Sequence, residues 1–147
     1  MFYSYVVTAR SQAEPAAVFS ALVRAGTWPS WSPIDSVELD GGDDPDAAQQ
    51  VGAVRVFRTG RVVSRESIVE LIEDRRFGYE NRTRPFRSYR GTVELAETPE
   101  GGTDITWSAT FEPKLALSGP LWQWYLTRFM QRMTEGLAAY ADQPAAR

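Results

Sequence analysis

Between Val51 and Glu112 the chain runs through five strand-like segments whose separations leave no room for a crossover. They are Val51 to Thr59, Val62 to Glu73, Phe77 to Thr83, Ser88 to Glu97 and Thr103 to Glu112. The breaks carry Gly60, Asp74-Arg75-Arg76, Pro85 and Pro99-Glu100-Gly101-Gly102, all turn chemistry. A parallel connection needs a dozen residues or more, so these segments must form an antiparallel meander. Alternation is clearest in the last two. Tyr89, Gly91, Val93 and Leu95 face one way, as do Ile105, Trp107, Ala109 and Phe111, with polar residues between them. One face of the sheet is therefore covered and the other wet.

The cover is a helix predicted from Ser118, as cap, to about Asp142. At 100° per residue, Trp122, Tyr125, Phe129, Met133, Gly136 and Tyr140 share one face, flanked by Leu126 and Leu137. Gln123, Thr127, Gln131, Thr134 and Ala138 fall opposite. Trp124 lands on the polar side, either exposed or packed under a loop. Gly136 on the apolar face implies a close approach to the sheet or to the small helices, since glycine inside a helix costs about 1 kcal/mol relative to alanine. Ahead of the meander, Phe2 to Arg10 reads as a strand. A short helix follows from Glu14 or Pro15, where the missing proline N–H costs nothing, to Gly26. Thr27-Trp28-Pro29-Ser30-Trp31-Ser32-Pro33 makes a rigid, bulky corner, and Ile34 to Leu39 a further strand. The reading is one domain over 1–147, with a frayed tail at 143–147.

The chain has 147 residues and neither histidine nor cysteine, so Ser-His-Asp and Cys-His nucleophile systems and His- or Cys-ligated zinc are excluded. Asp40-Gly41-Gly42-Asp43-Asp44-Pro45-Asp46 lacks the alternating ligands and terminal Glu of a calcium loop and reads as a flexible acidic loop. No metal or cofactor is expected. The net charge of −3 argues against a nucleic-acid partner. Arg82, Arg84, Arg87 and Arg90 around Pro85 form either a solvated hairpin tip or a basic rim for an anionic ligand tail. With no membrane-length apolar stretch and no signal-peptide layout, membrane insertion is not expected and a cytoplasmic location is.

The segment order, together with several short motifs, resembles the START-like, pollen-allergen-like (SRPBCC) superfamily and, within it, the polyketide cyclase/dehydrase group. The motifs are Pro15-x-x-Val18-Phe19, Trp28-x-x-Trp31-x-Pro33, Val51-Gly52, Glu66-x-Ile68, Gly101-Gly102-Thr103-x-Ile105-x-Trp107 and Glu135-Gly136-Leu137. The resemblance implies an α+β helix-grip fold: a bent seven-stranded antiparallel sheet wrapped around one long C-terminal helix, with two short helices between strands 1 and 2. It also implies a long apolar cavity between sheet and helix.

Trp28, Trp31, Phe57, Tyr79, Trp107, Tyr125 and Phe129 are the candidate lining residues, each of which would otherwise serve as core. Phe77, Tyr79, Asn81 and Thr83 share a face, so Asn81 is expected to project inward behind two rings. On the fourth strand Arg65 and Ser67 share one face and Glu66 and Glu70 the other, and alternation alone leaves open which is the inner. If Arg65 and Ser67 point in, Ser67 joins the lining, and Arg65, with Asn81 and Tyr89, forms a catalytic set able to polarise a ketone. The expected function is binding of a small hydrophobic molecule such as a lipid, quinone, steroid or polyketide. The alternatives are a polyketide cyclase, aromatase or dehydratase, and a protein-interaction module with a filled interior.

Overall fold

The computed structural model describes residues 1–83 and 85–143. Arg84 of the arginine cluster, and the expected frayed tail apart from Gln143, lie outside the described residues.

Seven strands form one antiparallel sheet: β1 (Tyr3–Ser11), β2 (Ser36–Leu39), β3 (Val54–Thr59), β4 (Val62–Ile72), β5 (Arg76–Asn81), β6 (Phe86–Glu97) and β7 (Thr103–Pro113). Their order is β1-β7-β6-β5-β4-β3-β2, so the meander runs unbroken from β2 to β7 and β1 pairs beside its last strand. Between β1 and β2 lie helix α1 (Pro15–Val23) and a 3₁₀ helix (Ala25–Ser30), and helix α2 (Gly119–Asp142) closes the chain. This is the helix-grip architecture.

The local chemistry explains the boundaries. Pro15 occupies the first turn of α1, where its missing N–H is an orphan anyway. The helix ends at Val23, earlier than Gly26, where the single Thr27 Oγ1 proton is shared between the carbonyls of Ala21 (2.8 Å) and Arg24 (2.9 Å) and the chain turns into the 3₁₀ segment. Ser118 does not cap α2. Its hydroxyl donates back to Leu115 (2.6 Å), within the short 3₁₀ turn Ala116–Ser118 that runs straight into the helix. The acidic loop is tied down at its far side, with Gly26 N–H donating to the Pro45 carbonyl (2.9 Å) and Arg24 Nη1 to that of Asp46 (3.0 Å).

Helix α2 lies along β1, and its buried residues are Gly119, Leu126, Met130, Met133, Thr134, Leu137, Ala138 and Ala141. That face is rotated from the one predicted. Thr134 and Ala138 are inside, whereas Tyr125 is 48% exposed and Phe129 half-buried. Thr134 hides its polarity by donating to the Met130 carbonyl one turn back (2.7 Å). On the flank, Gln123 and Gln131 donate to the edge carbonyls of Ser4 (2.7 Å) and Thr8 (2.9 Å). Eight residues of helix and four of strand both rise roughly 12–13 Å, so the two elements keep step. At the far end the Asp142 carboxylate accepts from Ser11 Oγ (2.6 Å), Gln12 N–H (2.7 Å) and Ala13 N–H (3.1 Å), fixing α2 to the start of α1. The close approach at Gly136 is to the corner, because a Cβ there would collide with the Trp31 carbonyl. Among the described residues no helix is long and apolar enough to cross a membrane.

Candidate functional site

The Trp-Pro corner turns its rings into the sheet. Trp28 lies 4.6 Å from Trp31, 4.9 Å from Phe57 and 5.9 Å, edge-on, from Trp107, centroid to centroid. The polar tips of these rings are all bonded. Trp28 Nε1 donates to the Leu22 carbonyl (3.2 Å), Trp31 Nε1 to Thr27 Oγ1 (3.1 Å) and Trp107 Nε1 to the Tyr79 hydroxyl (2.9 Å). Tyr5 and Tyr89 share a short hydroxyl–hydroxyl hydrogen bond. Gly91 stands opposite Tyr79 on the neighbouring strand, and any Cβ there would strike the Tyr79 ring. Desolvation, first of all, pushes the Tyr5, Tyr79 and Tyr89 phenols above their ordinary range, so they remain neutral.

Beneath this cluster lies a buried ion pair. Arg55 on β3 stands directly across from Glu66 on β4. The Arg55 guanidinium sits over the rings of Trp28 (4.6 Å), Phe77 (4.8 Å) and Phe57 (5.2 Å), and its Nη1 donates to the Leu22 carbonyl (2.7 Å). Its Nη2 is 3.9 Å from Glu66 Oε1, and Arg55 Nε, Arg55 Nη2 and Glu66 Oε1 are buried without a hydrogen-bond partner among the described residues. Burial lowers the Arg55 pKa to about 10, against the pull of Glu66. Burial likewise raises Glu66 to about 7, and the Arg55 charge only partly offsets it. The sequence contained a signal for this pair. Arg55 stands two residues before Phe57 on the same face of β3, and Glu66 two before Ile68 on β4.

The open site lies at the other end of the aromatic cluster. A cleft of about 470 Å³ separates the N-terminal turns of α2 from the tips of the central strands. Leu121, Trp122, Trp124 and Tyr125 form its helical wall, and Val62, Ser64, Asn81, Thr83, Pro85 and Phe86 its sheet wall. Trp122 is held by an edge-on contact with Phe86 (5.0 Å), and Tyr125 stacks on Phe129 (5.9 Å). Asn81 is fixed in this wall: its Nδ2 donates to Ser64 Oγ (2.8 Å) and its Oδ1 accepts from Thr83 N–H (2.8 Å). Farther along α2, a groove of about 550 Å³ is bounded by Trp31, Phe129, Gly136 and Tyr140.

The structure thus distributes the sequence-derived candidates. Asn81 and Tyr125 line the cleft, and Trp31 and Phe129 line the neighbouring groove. Trp28, Phe57, Tyr79 and Trp107 are buried against one another and do not line the cleft. Tyr89 is buried with its hydroxyl on Tyr5. Alternation on β4 resolves with Ser64, Glu66 and Ile68 inward. Arg65 and Ser67 face outward, and Arg65 reaches Asp40 at 3.7 Å with its side chain 57% exposed. Arg65 is thereby kept apart from Asn81 and Tyr89, which share the wall of a pocket of about 300 Å³ between β5 and β6. Sequence reasoning missed Leu121 and Phe86, whose place on the cleft depends on how α2 is rotated.

A family model described as "Polyketide cyclase / dehydrase and lipid transport" matches residues 4–142. The chain belongs to this family. Among solved structures, Ara h 8.0201 superposes with a TM-score of 0.75 at 18% identity, over 96% of this chain and 98% of that one. A structural-genomics target from Nitrosospira multiformis gives 0.73 at 19% identity, over 99% and 100%. The hypothetical protein jhp0584 from Helicobacter pylori gives 0.73 at 14% identity, over 96% and 88%. At these identities the likeness concerns the fold, and it agrees with the START-like resemblance of the sequence. A search of curated proteins finds no match. In this member of the polyketide cyclase/dehydrase family the seven-stranded sheet packs against the long helix α2, and the cleft opens between the first turns of α2 and the strand tips.

Proposed function

We propose that the cleft between α2 and the β4–β6 tips binds a small, predominantly apolar molecule of lipid, quinone, steroid or polyketide type. The observation that carries this reading is the composition of the walls: exposed Leu121, Trp124 and Tyr125 face Val62, Pro85 and Phe86, with Asn81, Ser64 and Thr83 the polar groups opposite. Such a cleft buries an apolar body and orients one polar end. The Asn81 amide spends one N–H on Ser64, leaving a second for a ligand carbonyl or hydroxyl. The family description supports the reading. Behind the cleft Trp28, Phe57, Tyr79 and Trp107 pack against one another, so this reading rests on the cleft alone. Ring closure of a poly-β-ketone is the weaker reading, because Arg65 lies on the outer face of β4 against Asp40, away from Asn81 and Tyr89.

The test is a titration with 1-anilinonaphthalene-8-sulfonate, followed by displacement with a fatty acid, a quinone and a sterol, alongside native mass spectrometry of freshly purified protein. Saturable probe binding, displaced by at least one competitor and abolished in Leu121→Asp, is expected. An absence of saturable binding in the wild type, or unaltered binding in Leu121→Asp, overturns the assignment.

A further inference from the structure

The two ends of the sheet differ in charge and in apolar exposure. The cleft end comprises the β3–β4 turn at Gly60 and Arg61, the β5–β6 connection, the segment from Lys114 to Ser118, and the first turns of α2. Lys114 N–H donates to the Pro85 carbonyl (2.9 Å), which stitches two of these together. Leu117 is 98% exposed, Leu115 74% and Trp124 59%, and Val62 and Leu121 are exposed beside them. These residues cover none of the core. Arg61, Arg87 and Lys114 at the same end are exposed, and among the described residues no carboxylate pairs with any of them. Arg128 lies over the Trp124 ring at 5.3 Å. The acids nearby are occupied: Glu112 by the N-terminal amine (3.0 Å), Asp35 by the Gly60 N–H (2.6 Å), and Glu80 between Arg82 and Arg90. The opposite end carries exposed Asp40 (paired with Arg65), Asp43, Asp44, Asp46, Glu73, Glu97 and Glu100, which outnumber Arg10, Arg24, Arg75 and Arg76 there. A chain of net charge −3 is therefore strongly polarised.

Exposed leucines on loop ends, interleaved with unpaired cations, match a surface that offers anionic headgroups above an apolar layer. A protein partner would need a continuous complementary area, whereas these side chains project from separate loops and one helical turn. We propose that the cleft end docks on an anionic lipid surface. Leu115, Leu117 and Trp124 enter to headgroup depth, Arg61, Arg87 and Lys114 lie over the phosphates, and the acidic end points into solvent. The cleft mouth then opens onto the bilayer surface. This docking does not depend on the cleft being occupied.

Co-sedimentation with vesicles of phosphatidylglycerol and phosphatidylcholine in equal parts, against phosphatidylcholine alone, tests it. Binding to the mixed vesicles is expected to be at least about tenfold tighter and to weaken with salt. The exposed pair Leu115→Ser/Leu117→Ser should lose it, and Arg61→Glu/Arg87→Glu/Lys114→Glu should weaken it about a hundredfold. Both variants should still bind anilinonaphthalenesulfonate in the cleft, which separates failure of docking from failure of the cleft. Equal binding to both vesicle types, no sedimentation, or variants that bind like the wild type would overturn the proposal. So would light scattering that shows a dimer dissolved by Leu117→Ser, since the patch would then be a self-association surface.

Discussion

The aromatic cluster around Trp28 and the aromatic wall around Tyr125 use the same residue types to opposite ends. In the first, the tryptophan N–H groups and tyrosine hydroxyls are bonded within the protein and the rings are buried. In the second, Trp122, Tyr125 and Phe129 form a ladder along α2 whose outer faces are left uncovered. An aromatic stripe thus contributes to stability where the sheet closes over it and to recognition where the sheet curves away.

The largest effect that would break this contrast is Trp28→Ala. Loss of a fully buried indole should cost about 3–5 kcal/mol in urea unfolding. A loss below about 1 kcal/mol would mean the interior is not sealed. Next is the buried pair. The folded-state pKa of Glu66 is raised to about 7, so the native state holds its proton more tightly than the unfolded chain. The stability this contributes is fully present below the ordinary carboxylate range and is lost as pH rises through about 7, a change on the order of a few kcal/mol. Glu66→Gln should flatten that slope in denaturation curves recorded from pH 4.5 to 8; an unchanged slope would assign it to other groups. Tyr125→Ala should leave stability within about 1 kcal/mol yet weaken probe binding about tenfold, as a hydrophobic contact on an open wall does. Equal loss in both measurements would place Tyr125 with the core instead. The smallest effect is Arg65→Ala. An exposed pair with Asp40 is worth less than about 0.5 kcal/mol, and neither stability nor probe binding should move measurably.

The strand order and the helix-grip layout were legible because turn residues and period-two alternation both act locally. The rotation of α2 was not. Hydropathy favours the face bearing Trp122, Tyr125 and Phe129, but close packing along β1 selects small or self-satisfied side chains such as Thr134 and Ala138. The position of Asn81 on the inner face was legible because it follows Phe77 and Tyr79 on one face of β5. The outward turn of Arg65 was not fixed by alternation, since both faces of β4 carry charge, and only the partner across the sheet, Arg55, makes the inward Glu66 tolerable. Phe86 and Leu121 gave no sequence signal, because they meet only when the β5–β6 tip and the start of α2 come together.

The two glutamines on α2 also bear on how this protein behaves in a crowded solution. A free outer strand is a template on which another chain can build, and such growth ends in insoluble fibres. Here the amides of Gln123 and Gln131 occupy carbonyls of β1 that a newcomer would need, while the opposite margin, β2, is only four residues long and carries Glu38. The sheet is thus guarded along both borders, and its exposed greasy side chains can be concentrated at one pole without inviting polymerisation.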